Sequence, residues 1–167
     1  GDAYEPEEVI SVEAGYKVQA FGDRLRFAAS VFHYDYTNLQ VSQIVNLQQR
    51  IENAAAATIT GAEFETFLRA SDLFSVDLNI ALLDATYDRY TDLDPLRPAL
   101  GFQSLAGNRL NRAPEYTVNL GLTFSAPISD GRLTLRGEVF HSDDVYFRQF
   151  NQPQDKQDAY TTYNLFA

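Results

Sequence analysis

Phe74-Ser75-Val76-Asp77-Leu78-Asn79-Ile80-Ala81-Leu82-Leu83 puts Phe74, Val76, Leu78, Ile80 and Leu82 at every second position, with Ser75, Asp77, Asn79 and Ala81 between them. Side chains of an extended chain point alternately to opposite sides, so period 2 over this length specifies a strand with one apolar and one polar face. A second copy sets Tyr116, Val118, Leu120, Leu122 and Phe124 against Thr117, Asn119, Gly121, Thr123 and Ser125. Working outward, about seven such segments cover the chain.

The first runs from about Val9 to Phe21, with Ile10, Val12, Ala14, Tyr16 and Val18 opposed to Ser11, Glu13, Gly15, Lys17 and Gln19. The second begins at Arg24, with Leu25, Phe27, Ala29 and Val31 against Arg26, Ala28 and Ser30, and ends in the aromatic-rich Phe32-His33-Tyr34-Asp35-Tyr36. The third, about Ile51 to Arg69, contains the run Ala54-Ala55-Ala56-Ala57, which favours helix by propensity. Thr58-Ile59-Thr60 and Phe64-Glu65-Thr66-Phe67 beside it argue for strand. The Phe74 strand reaches about Tyr90, and the fifth covers Glu115 to about Ala126. The sixth sets Leu133, Leu135, Gly137 and Val139 against Arg132, Thr134, Arg136 and Glu138, and a last one starts near Tyr160.

The connections alternate. Gly22-Asp23, Ser71-Asp72 and Ser129-Asp130-Gly131 read as tight turns. Gln43–Arg50, Thr91–Pro114 and Phe150–Asp158 read as longer polar loops. In an up-and-down antiparallel sheet this rhythm sends tight turns to one rim and loops to the other. The pattern is that of a transmembrane β-barrel, whose apolar face meets lipid and whose polar face meets a watery lumen. On this reading Val12, Leu25, Phe27, Val76, Leu78, Ile80, Val118, Leu120, Leu122, Leu133 and Leu135 face lipid. Glu13, Lys17, Arg26, Glu63, Glu65, Asp77, Asn79, Arg136 and Glu138 face the lumen, since each of the charged ones would cost several kcal/mol if buried dry and unpaired. Tyr34, Tyr36, Tyr87, Tyr90, Tyr146 and Phe147 near the loop ends, with Phe21, Phe74 and Phe124 near the turns, read as interfacial girdles. Ligand stacking by loop-side tyrosines is the other reading.

The 167 residues include no Cys, Met or Trp, and 13 basic against 23 acidic residues give a net charge of -10. Without cysteine there are no disulfides, zinc–thiolate sites or thiol nucleophiles. The acidic balance argues against a nucleic-acid partner. No apolar run approaches the ~20 residues of a spanning helix, and barrel strands need only about 9–11. The start, Gly1 to Pro6, is polar and acidic and lacks a signal peptide, as in a mature form or a piece of something longer, while Tyr163-Asn164-Leu165-Phe166-Ala167 ends inside a strand pattern, which suggests truncation.

Pro6-Glu7-Glu8 followed by Ser11-Val12-Glu13-Ala14-Gly15-Tyr16-Lys17, then Phe32-His33-Tyr34-Asp35-Tyr36-Thr37-Asn38-Leu39-Gln40, form part of a series of short motifs. The series continues through Asn53-Ala54, Gly61-Ala62-Glu63, Gly107-Asn108-Arg109, Ala113-Pro114-Glu115 and Ala159-Tyr160 with Asn164. In order and spacing these resemble the C-terminal part of the barrel of a TonB-dependent outer-membrane receptor. The resemblance implies a parent of about 22 strands with a plugged lumen, residues 1–167 being a partial barrel domain without the plug and the closing strands. It further implies a bacterial outer-membrane location and partners in lipid, the parent's own plug domain, the TonB energy-coupling protein and a scarce nutrient. That nutrient class covers iron chelates, cobalamin and oligosaccharides. The Thr91–Pro114 loop is the expected ligand-contact segment.

Other chemistry finds little support. His33 and His141 are the two histidines, and only Asp143-Asp144 beside His141 hint at a cation site. Glu63 and Glu65 share a face as glycosidase carboxylates could, yet a polar ladder explains them as well. Asp88, Asp92 and Asp94 lack the glycine and terminal glutamate of a calcium loop. No P-loop, GxSxG, HExxH or dinucleotide motif occurs. The expectation is therefore an all-β chain with no catalytic residues, cofactor or metal. A soluble all-β ligand- or carbohydrate-binding module is the alternative.

Overall fold

The computed structural model describes residues 5–45 and 48–167, with side chains described outside 42–50 and 54. In chain order the strands are β1 (Glu8–Ala20), β2 (Leu25–Val45), β3 (Gln48–Arg69), β4 (Phe74–Arg89), β5 (Thr91–Leu93), β6 (Phe102–Ser104), β7 (Tyr116–Ile128), β8 (Gly131–Ser142), β9 (Val145–Tyr146), β10 (Lys156–Gln157) and β11 (Tyr160–Phe166). Seven of them form one open antiparallel sheet in the order β1-β2-β3-β4-β7-β8-β11, an up-and-down meander. The small pairs β5–β6 and β9–β10 lie in the connections.

The tight turns follow local chemistry. Phe21, Gly22 and Asp23 all have positive φ (57°, 63° and 63°), the region glycine enters without cost. At the next turn the Ser71 Oγ accepts hydrogen bonds from the amides of Leu73 and Phe74, at 3.2 and 3.1 Å. Here the side chain replaces missing backbone partners. Arg24 bonds Asp72 at 3.2 Å, so the first two turns are neighbours on one rim.

At the other rim the sequence expectation needs correcting. The polar stretch Gln43–Arg50 is not a loop. The ladder continues through it as Gln43↔Arg50, Ile44↔Gln49 and Val45↔Gln48, which makes β2 21 and β3 22 residues long; residues 46–47 lie outside the described set. Strand pairing is made by backbone groups and does not require alternating side chains, so the ladder persists where alternation disappears. Thr91–Pro114 and Phe150–Asp158 are connections as expected, but each contributes strands, β5 and β6 to the first and β10 to the second.

Irregularities in the β2–β3 ladder fall between Tyr36 and Gln40, where Asn38 has φ 54°. The Asn53 amide stitches this bend. Its Nδ2 donates to the Asn38 carbonyl at 2.7 Å and to the Glu5 carbonyl at 2.8 Å, and its Oδ1 accepts from the Glu5 amide at 2.8 Å. The Glu7 carboxylate caps the Gln40 amide at 2.7 Å. Three of the short motifs, around Glu7, Asn38 and Asn53, are thus one physical joint.

A single sheet has no interior between layers. The hydrophobic cluster among the described residues sits at the loop end, on the polar face. Ala55, Ala57, Tyr87, Tyr90, Leu105 and Phe150 are buried there, with Tyr36, Leu39, Val41 and Leu110 against them. Ala55 and Ala57 leave room for the loop residues folded over them, which gives the alanine run a packing reason. Tyr34 and Tyr36 pair with Ile59 and Ala57 on that same polar face, and Tyr87 and Tyr90 are buried. These four residues therefore do not form an outward girdle. Phe74 and Phe124 do lie together on the apolar face at the turn end, with ring centroids 5.0 Å apart.

Candidate functional site: the polar face and the loop cap

Register decides which side chains meet. Cross-strand pairing aligns Gln19, Arg26, Phe67, Asp77, Gly121 and Glu138 in one row, and Lys17, Ala28, Glu65, Asn79 and Asn119 in the next. Glu13 lies opposite Phe32, Glu63 opposite Ser30 and Arg136 opposite Thr123, all on the same side. Val12, Leu25, Phe27, Val76, Leu78, Ile80, Val118, Leu120, Leu122, Leu133 and Leu135 lie on the other side, so the pairing keeps the two sets apart across the sheet.

Arg136 organises the polar face. Its guanidinium makes a bidentate pair with Asp77 at 2.6 and 2.9 Å, and also reaches Glu138 at 2.7 Å and Thr123 Oγ1 at 3.0 Å. Bidentate arginine–carboxylate pairs are the strongest and most directional of their kind. To reach Asp77, Arg136 crosses β7 directly over Gly121, where a Cβ would overlap both the guanidinium and the carboxylate. Nearby, the Arg26 guanidinium lies 4.5 Å over the Phe67 ring. Lys17, Arg26, Glu65, Asp77 and Asn79 line an open cavity of about 560 Å³. Glu13, Lys17, Glu63 and Glu65 are exposed and have no ion-pair partner among the described residues.

At the loop end, the β4–β7 and β8–β11 connections fold together into one cap. Arg148 is its key. It bonds Asp155 through two nitrogens at 2.7 and 2.9 Å and Asp94 at 2.8 Å. Asp94 is only 1% exposed, so its charge depends on these partners. Burial alone would raise its pKa, but hydrogen bonds from Arg148 and the Leu96 amide, with the charges of Arg148 and Arg97, hold it below the ordinary carboxylate value. The Asp155 carboxylate raises the Arg148 pKa against the opposing effect of burial, and Asp94 adds to the rise. Further stitches run from Asn108 Nδ2 to the Gln149 carbonyl (2.8 Å), from the Arg109 amide to Asn151 Oδ1 (2.6 Å) and from Asn151 Nδ2 to the Arg109 carbonyl (3.1 Å). Arg109 also bonds Asp144 at 3.0 Å and lies 3.8 Å from Asp143.

The weaker sequence candidates find other employment here. Asp143 and Asp144 serve Arg109, while His141 bonds Thr161 at 2.8 Å. His33 bonds Thr60 at 2.8 Å and lies 3.2 Å from Asp35. Asp88 accepts from Thr58, Asp92 from Tyr90 and Gln149, and Asp94 from Arg148, so these three serve separate contacts. Among the described residues no group of three or more His, Asp or Glu is arranged to hold a metal. Arg148, Asp155, Gln149 and Asn151 are the residues that sequence reading missed. They sit in aperiodic segments, and only the aromatic and polar richness of the loop hinted that it packs.

The fold has counterparts among solved structures. The ferric yersiniabactin uptake receptor FyuA of Yersinia pestis superposes with a TM-score of 0.76 at 23% identity, over 95% of this chain and 22% of that one. BauA, the ferric preacinetobactin receptor of Acinetobacter baumannii, gives 0.74 at 17% identity, over 99% and 23%. The FrpB iron transporter of Neisseria meningitidis gives 0.65 at 9%, over 99% and 24%. The chain thus spans under a quarter of the length of these structures. No curated protein sequence matches it. Residues 1–167 match the family described as TonB dependent receptor-like, beta-barrel. With that match along its whole length and a sheet of the corresponding fold, the chain belongs to the TonB-dependent receptor β-barrel family.

Proposed function

We propose that the chain is a barrel segment of an outer-membrane receptor that binds a scarce nutrient at its loop rim and imports it with energy coupled through TonB. The observation that carries this is the separation of the two faces. Ile10, Val12, Val31, Leu82 and Leu122 are exposed on one side, and no second layer covers them among the described residues. A soluble sandwich would need such a layer; lipid supplies one without it. The exposed Glu13, Lys17, Glu63 and Glu65 face the plug domain of the parent, where charged partners or water contact them. The parent's remaining strands pair the free edges of β1 and β11, because a bilayer leaves no backbone group unsatisfied. The loop cap contributes to the mouth, and a metal chelate is the favoured cargo, as the similar solved receptors carry ferric or iron cargo. Such a protein performs transport and no covalent chemistry.

The test uses the full-length receptor in bacterial cells. It is expected in the outer-membrane fraction, soluble only in detergent, and cells are expected to accumulate radioiron chelates only while the proton-motive force and TonB are intact. Recovery as a detergent-free soluble β protein would overturn the membrane reading. Correct membrane insertion without TonB-dependent uptake of any chelate would overturn the cargo alone.

A further inference from the structure

The apolar side of the sheet is hollowed near its loop-ward edge. The groove there holds about 850 Å³, and the short side chains of Ala14 and Ala62 leave this space between Val12, Val31 and Leu82. Register fixes its level. Ala14, Val31, Ala62, Leu82 and Tyr116 pair across β1, β2, β3, β4 and β7 as one row. In the next row toward the loops, Val12 is followed by His33, Thr60 and Asp84. Both rows line the groove, so it straddles the line where the apolar surface ends. Tyr116 closes the apolar row, and amphipathic rings of its kind sit at the headgroup level of a bilayer. On the membrane reading, hydrocarbon therefore covers one end of the groove and lipid headgroups cover the other.

The charge at the polar end is unbalanced. Asp84 is exposed and has no ion-pair partner among the described residues. Glu115, also lining the groove, lies 3.6 Å from Arg109. That arginine is shared with Asp144 at 3.0 Å and Asp143 at 3.8 Å, and Lys156 is drawn to Asp144 at 3.3 Å. Four carboxylates thus face two cations. The His33 ring is occupied by Thr60 at 2.8 Å and Asp35 at 3.2 Å. The next cation along β4, Arg89, stands five residues beyond Asp84, about 16 Å at 3.3 Å per residue. Arg112 lies over the Phe147 ring. What completes this end of the groove must bring a positive charge, and it must be attached to something that belongs in hydrocarbon.

We propose that the groove is a binding site for one membrane lipid whose head carries a phosphate-linked ethanolamine. An acyl chain lies along Val31, Ala62 and Leu82, and the ammonium bonds the Asp84 carboxylate, with Glu115 adding to the attraction. A primary ammonium offers N–H donors to a carboxylate, as a lysine does; the trimethylated head of choline offers none. A purely anionic head would meet the same carboxylates with repulsion. The inference rests on the reading that this face of the sheet lies in a bilayer, and it names the lipid held there.

The experiment titrates the full-length receptor, stripped of lipid in detergent, with phosphatidylethanolamine, phosphatidylcholine and phosphatidylglycerol of identical acyl chains, and counts the lipids retained by native mass spectrometry. Phosphatidylethanolamine is expected to bind about tenfold more tightly than phosphatidylcholine, the worth of one charge-assisted hydrogen bond, and phosphatidylglycerol most weakly. Asp84→Asn should bring phosphatidylethanolamine down to the level of phosphatidylcholine and leave the latter unchanged. Ala62→Phe fills the groove and should weaken both. Asp84 is exposed and makes no ion pair among the described residues, so its variant carries the test if the bulkier one fails to fold. Equal binding of the three lipids, a preference for phosphatidylglycerol, or an Asp84→Asn receptor that keeps the preference would overturn the site. A receptor that inserts in the membrane and imports a chelate through TonB while showing no headgroup preference loses this site alone. Recovery as a detergent-free soluble protein would remove the membrane reading and the site with it.

Discussion

Replacing Arg148 with methionine is expected to release the loop cap at neutral pH. The substitution keeps the bulk and removes the cation that ion-pairs with both buried Asp94 and Asp155. Removing one partner of a buried pair costs about 3–5 kcal/mol, because the other charge is left stranded. Arg148 is itself a quarter exposed, so the low end of that range, about 3 kcal/mol, applies. At 1.4 kcal/mol per tenfold, cap opening becomes roughly 100 times more frequent. The reporters are the backbone amides of Leu105 and Gly107, bonded to the Tyr90 and Tyr87 carbonyls at 2.8 and 2.7 Å, and that of Phe147, bonded to the Asp155 carbonyl at 2.8 Å. Hydrogen exchange in the full receptor should accelerate at these sites, with the ladder of β7 and β8 unchanged.

The pH dependence has a sign that separates this account from general damage. In the native cap the Asp94 pKa is lowered, so its contribution is fully present above the ordinary carboxylate range and is lost only as pH falls through the lowered value. The native cap therefore stays closed through mildly acid pH. In the Arg148→Met variant, Asp94 keeps its burial and loses its chief partner, so desolvation raises its pKa. The variant cap should then close again as the pH falls and Asp94 takes up a proton. Adding Asp94→Asn should recover part of the loss at neutral pH. Exchange rates, corrected for intrinsic chemistry, that rise equally in both proteins on acidification would contradict this scheme.

The second large effect is expected at Gly61. A Cβ there would overlap the ring of Phe32 and lie 2.8 Å from the Leu82 carbonyl oxygen. The ring stacks on Tyr34 at 5.1 Å, so moving it gives up that contact. The carbonyl belongs to β4, so relief requires a shift of backbone in a paired strand. Overpacking of this kind costs about 1–3 kcal/mol, and Gly61→Ala should fall near the upper end because one of its obstacles is main chain. Unfolding of the full receptor in detergent would report the loss. Phe32→Ala in the same protein should restore only part of it. Full restoration would place the whole obstacle in the ring and disprove the backbone argument.

How far the sequence predicted this structure depends on what each segment must satisfy. Where one face must be apolar, alternation is forced, and Phe74–Leu83 declares its strand, its faces and the parity of its neighbours. The same parity groups Tyr34 and Tyr36 with Arg26 and Ser30. Judging them by position along the strand alone gives the wrong face. The Gln43–Arg50 ladder was invisible, because it is bound by backbone hydrogen bonds that carry no side-chain pattern. The cap was equally hidden. Arg148 and Asp94 are 54 residues apart, and no local spacing announces a partner at that distance. The polar ladder, by contrast, was readable as a set of residues, while the specific Asp77–Arg136–Glu138 bonding, and the reason for Gly121 beneath it, required the register.

The length of the β2–β3 hairpin has one more consequence. At about 3.3 Å per residue its 22-residue strand is roughly 70 Å long, and a hydrocarbon core about 30 Å thick needs only about 9–11 tilted residues. On the outer-membrane reading proposed above, half of the hairpin would stand clear of the bilayer, on the rim away from the Ser129-Asp130 turn between β7 and β8. An epitope inserted at the hairpin end should be stained by antibody on intact cells. The same epitope at Ser129-Asp130 should be stained only after the envelope is permeabilised. On that same reading, this stretch of chain is a handle for cell-surface display of foreign sequence.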